Sequence, residues 1–120
     1  MLFRSTGVVG ASIPEQALIL DTKDGPIVLT GCAHPGVLEM ISRAAELSGR
    51  PVFGLMGGLH LIQTPEEEVA AIVGRIQAQG VVKVGATHCS GAQAMAAFQE
   101  AYGDDYVPLG VGRVIRLPLS

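Results

Sequence analysis

Apolar residues fall along this chain in two patterns. Short continuous runs occur at residues 15–20 (EQALIL), 26–31 (PIVLTG), 52–56 (VFGLM) and 81–86 (VVKVGA). Between them lie longer stretches in which apolar residues return every three or four positions. One carries Val37, Leu38, Ile41, Ala44 and Ala45; the next carries Val69, Ile72, Val73 and Ile76; a third covers residues 91–102. Runs of four to six predict strands, and the 3.6-residue recurrence predicts helices. Residues 1–15 are β-compatible with glycine turns, and residues 110–118 (GVGRVIRLP) predict a last strand. Its GVG is not a dinucleotide fingerprint, because no helix follows.

Turn and cap residues divide these elements. DTKDG at 21–25 predicts a hairpin with a five-residue loop, with Pro26 acceptable because it begins the next strand. Pro35 suits the first position of a helix, and Gly49 ends it. Thr64-Pro65-Glu66-Glu67 reads as a capping box, with Gly80 at the far end of that helix. Ser90 is placed to cap the third helix, and Asp104 and Asp105 make a loop. The acidic run Glu66, Glu67 and Glu68 is what the dipole of a helix's first turn favours, so it is not read as a metal cluster.

Strand, turn and helix in repetition describe parallel strands whose carboxyl ends share one sheet edge, where open α/β folds build their sites. All three histidines of the chain lie on such turns: His34 in TGCAHPG, His60 in LMGGLHLI and His88 in VGATHCSG. They are 26 and 28 residues apart, about one strand-plus-helix unit each. Three imidazoles brought to one edge suggest a metal site, with zinc, iron and manganese all suited to this ligand. The two glycines before His60 signal an unusual turn or a close approach, which would equally aim that ring at a substrate. The helix after THCSG offers N–H groups to an anion.

Cys32 and Cys89 each lie within two residues of a histidine. A disulfide is conceivable, but reduced thiols are expected, as metal ligands, as groups beside the ligands or as small core residues. A Cys/His enzyme without metal competes weakly, because residues adjacent in sequence at a strand end rarely point at each other. The strands are apolar on consecutive positions, so both sheet faces want cover, whereas crossovers of one hand put the helices mainly on one. A homodimer or a missing half would supply the rest.

Composition narrows the classes further. Of 120 residues, 48% are hydrophobic and 16% charged, which fits a folded domain. The net charge of −3 with no cluster of Lys or Arg argues against nucleic acid. No apolar run reaches the ~20 residues of a membrane span, and MLFRSTGVVG lacks signal-peptide form, so a cytoplasmic protein is expected.

GCAHPG after an apolar strand, GGLHL, THCSG and a closing GVGRVIRL together resemble the second half of a metallo-β-lactamase-fold hydrolase. The stretch EQALIL…GPIVLTGCAHPG is particularly similar to the dihydropterin–ribofuranosylaminobenzene-phosphate synthase branch. The resemblance covers nearly the whole chain from about Thr6. It implies an α/β fold, half of an αββα sandwich: a mixed sheet with three helices mainly on one face. It also implies a cleft with one or two metal ions, zinc or alternatively iron or manganese. By that match His34 and His88 are metal ligands and His60 a catalytic or substrate-contacting residue specific to the branch. The superfamily's HxHxDH run is missing from residues 1–120. They are therefore expected to be one partial domain, the C-terminal half, whose partners are a small-molecule substrate and either the N-terminal half or a second copy. A non-catalytic remnant that binds through its bare sheet face is the competing expectation.

Overall fold

The computed structural model describes residues 2–5, 15–33, 36–87, 90–110 and 112–116. Five strands form one mixed sheet in sequence order: β1 (Leu2–Ser5), β2 (Glu15–Thr22), β3 (Gly25–Thr30), β4 (Gly54–Gly58) and β5 (Lys83–Thr87). β1–β2 and β2–β3 pair antiparallel; β3–β4 and β4–β5 pair parallel. The parallel steps need crossovers, and helices α1 (Val37–Ser48) and α2 (Glu66–Ala78) supply them. Helix α3 (Ala92–Tyr102) follows β5 and leads into a 3-10 turn, Gly103–Asp105.

Register shows which sheet face the helices cover. Ile19, Val28, Leu55 and Val84 are neighbours across four strands, and all are essentially inaccessible. They belong to one core with Met40, Ile41 and Ala44 of α1, Val69, Val73 and Ile76 of α2, and Phe98 of α3. The apolar stripe of each helix thus meets the same row of strand residues. The neighbouring row of the other face, Leu18, Leu29, Met56 and Gly85, is covered less evenly. Leu18 is 37% exposed, whereas Gly85 lies under the Val107 carbonyl and the Leu109 side chain.

Several local expectations are corrected. The hairpin turn is only Lys23-Asp24: Thr22 extends β2, and its hydroxyl donates to the Gly25 carbonyl at 2.7 Å while accepting from Asp24 N–H. No side chain caps any of the three helices. Gly36, Pro65 and Gly91 take the N-cap positions, so α1 begins after Pro35, and the Thr64 capping box does not form. Gly49 ends α1 as expected, in the left-handed conformation at φ 70°. The described part of residues 107–116 contains no strand; Tyr106 makes a single parallel bridge to Val84. Pro108, Gly110 and Gly112 disfavour continuation of that bridge.

Tyr102 closes the end of α3 by donating its hydroxyl to the Val81 carbonyl at 3.0 Å. Partial burial pushes its pKa from 10.0 up to about 12. The folded state therefore keeps a proton that the unfolded chain releases, and this contribution is present below pH 10 and lost as pH rises towards 12. Stability from urea unfolding should fall more steeply across that window in the native chain than in Tyr102→Phe. Parallel profiles would rule the effect out.

Candidate functional site

The carboxyl ends of β3, β4 and β5 meet at one edge, and backbone contacts bind the turns that leave them. Gly58 N–H donates to the Gly31 carbonyl, and the Thr30 hydroxyl to the Gly58 carbonyl at 2.8 Å. Ser90, completely buried, bridges the turns after β4 and β5. Its hydroxyl donates to the Thr87 carbonyl at 2.8 Å and accepts from Leu59 N–H at 2.9 Å. Gly91, at φ 84°, lets the same loop come so close that a β-carbon there would lie 2.8 Å from Ile62 Cα.

Among the described residues two non-glycine residues have positive φ, Ala33 at 61° and His60 at 53°, and both are on these turns. Such backbone costs on the order of 1–3 kcal/mol and concentrates at functional sites. In His60 it sets the direction of an exposed ring. Its Nδ1 lies 3.4 Å from Cys32 Sγ. Cys32 is disulfide-bonded, contrary to the expected reduced thiol; the only other cysteine, Cys89, is outside the described residues. A disulfide sulfur has no proton to give, so in this contact Nδ1–H is the donor.

His60 is the one sequence-predicted site residue that can be placed. His34 and His88, the expected metal ligands, lie outside the described residues. Among the described residues no group of three or more His, Cys, Asp or Glu is positioned to hold a metal ion. Sequence reasoning missed Ser90 as the link between turns and Ala33 as a strained position. Ser90 had a signal, a small hydroxyl residue two positions after a strand-end histidine, but a helix start explains that pattern equally well.

On the helix side of this edge, a cavity of about 410 Å³ opens between α1 and α2. His60 stands at it together with Glu39, Glu68 and Arg75, and its walls are mostly apolar.

No protein-family model matches the chain. It is 32% identical over 103 residues to the 7,8-dihydropterin-6-methyl-4-(beta-D-ribofuranosyl)-aminobenzene-5'-phosphate synthase of Methanocaldococcus jannaschii, covering 85% of this chain and 35% of that protein. Uncharacterized protein MJ0448 of the same organism is 27% identical over 89 residues, covering 74% of this chain and 33% of that one. The crystal structure of Tm1679, a metal-dependent hydrolase of the β-lactamase superfamily, superposes with a TM-score of 0.77 at 30% identity. That match covers 83% of this chain and 39% of Tm1679. The chain carries part of a metallo-β-lactamase-type fold. It spans about a third of the length of the two sequence relatives. No helix among the described residues is long and apolar enough to cross a membrane.

Proposed function

We propose that this chain is the C-terminal, metal-binding part of a metal-dependent hydrolase acting on a small phosphorylated or pterin-linked substrate. The observation that carries the reading is the edge itself. Three strand ends are tied together by Gly58, Thr30 and Ser90, and Ala33 and His60, which have positive φ, are on their turns. The name of the synthase relative and the hydrolase title of Tm1679 support the substrate class and the chemistry.

In this reading His34 and His88 hold the metal, zinc or alternatively iron or manganese, with one or two ions in the complete site. When bound, the metal supplies a water of lowered pKa and a Lewis acid for a phosphoryl or carbonyl oxygen. His60, its Nδ1 3.4 Å from Cys32 Sγ, lines the site as a catalytic or substrate-contacting residue. The less evenly covered sheet face around Leu18 receives the N-terminal half of the fold, in keeping with the third of the relatives' length spanned here. The same exposed Leu18 favours a second reading, a non-catalytic piece that binds a partner or a second copy through that face.

Native mass spectrometry during a zinc titration of the metal-free chain separates the two. The native chain should take up zinc, and His34→Ala and His88→Ala should each weaken uptake at least about tenfold, the scale of effects around metal ligands. Uptake that both substitutions leave unchanged, or no uptake at any zinc level, sinks the metal assignment. In a complete protein carrying this chain, the same two substitutions should abolish phosphate-ester hydrolysis that a chelator also stops. Hydrolysis that persists in both variants would contradict the catalytic reading.

A further inference from the structure

We infer that the cavity between α1 and α2 is a binding site for a flat, mainly apolar small molecule with an amine at one end and an anionic group at the other. Its volume of about 410 Å³ falls in the ~300–1,000 Å³ range of small-molecule sites. Leu38 from α1 and Ile72 from α2 form apolar walls, both half-buried although they belong to the helices' apolar stripes. The charges around them are unpaired. Among the described residues Glu39, Glu68 and Arg75 have no ion pair and no side-chain hydrogen bond, although Arg43 with Glu46 and Lys83 with Asp105 do pair.

Position along α2 separates these charges. Glu68 is in the first turn, beside the His60 loop, and also borders two adjoining hollows. Arg75 is seven residues further on, about 10 Å along the helix axis at 1.5 Å per residue. Ile72 lies between them on the same helical face. Carboxylates at one end, a guanidinium at the other and aliphatic walls between complement an amphoteric aromatic ligand. The guanidinium fork suits a carboxylate or phosphate, and the carboxylates suit an amine. The inference needs no metal, although the cavity borders the proposed hydrolase site at His60.

The test is a ¹H–¹⁵N NMR titration of the metal-free full chain with 4-(aminomethyl)benzoate, and with benzylamine and benzoate, each of which lacks one charged end. Saturable shifts at the amides of Leu38, Glu68, Ile72 and Arg75 are expected with the two-ended probe. Arg75→Gln should weaken 4-(aminomethyl)benzoate and benzoate about tenfold and spare benzylamine; Glu68→Gln should weaken 4-(aminomethyl)benzoate and benzylamine and spare benzoate. Both residues are exposed, so the unliganded spectra should confirm intact folds. Shifts that do not saturate, that lie elsewhere, or that either substitution changes equally for all three probes would overturn the site.

Discussion

Replacing Gly57 with alanine is expected to destabilise the chain by more than about 3 kcal/mol, at the upper end of single-substitution effects. Two costs add at this position. The backbone stands at φ 125°, which an L side chain rarely adopts, and such strain is worth on the order of 1–3 kcal/mol. A β-carbon would also lie 2.1 Å from the Thr30 carbonyl oxygen and 2.7 Å from the Thr30 hydroxyl oxygen. The first contact is with backbone, so no rotamer change relieves it. Relief requires β3 and β4 to part where Thr30 pairs with Gly57, with loss of the Thr30 hydroxyl's bond to Gly58. Gly74→Ala is the control. That glycine is inside α2 with nothing within 4 Å of the added carbon, so the substitution should stabilise by about 0.5–1 kcal/mol. Urea unfolding of both variants checks the pair. A Gly57→Ala chain within about 1 kcal/mol of the native one would mean that the strand edge is far more pliable than its contacts imply.

The same glycine illustrates what a sequence can and cannot disclose. Gly57-Gly58 before His60 signals close backbone approach, and the approach is real. That it is to Thr30, 27 residues earlier, follows only from strand register. Helix stripes were legible because periodicity records burial directly: Val37, Ile41 and Ala44, then Val69, Val73 and Ile76, all enter the core. Caps were less legible. Thr64 and Ser90 both have the right chemistry beside a helix, but a cap competes with any partner the fold brings near, and for Ser90 the partners came from another turn. The second sheet face was foreseen as needing cover from its apolar residues, but the stretch from Val107 to Leu109 was not foreseen crossing Gly85. The turns that leave β3, β4 and β5 were readable because each follows a short apolar run. That Glu39 and Arg75 border one α1–α2 cavity was not, since they are 36 residues apart and look like ordinary helix-surface residues.

Ser90→Ala should lower stability by about 2–4 kcal/mol and loosen the His60 turn in particular. The hydroxyl satisfies two backbone groups at once, the Leu59 N–H and the Thr87 carbonyl, in a place with no solvent access to Ser90 and almost none to Leu59. Leaving a buried group unsatisfied costs about 1–3 kcal/mol, so two such groups set the range, with the carbonyl the more easily reconciled of the two. A methyl group fills nearly the same volume, so a cavity contributes little. The loss is one of connection. Amide hydrogen exchange can separate this from general destabilisation, because the turn's openings are local and those of the core are global. Leu59 and His60 should exchange faster by more than the global stability loss accounts for, whereas amides of α1 should change only by that loss. If protection falls uniformly, Ser90 is one more buried contact. If it falls first at Leu59 and His60, then a single serine sets the position of the His60 turn, and metal uptake or groove binding that depends on that turn should weaken with it.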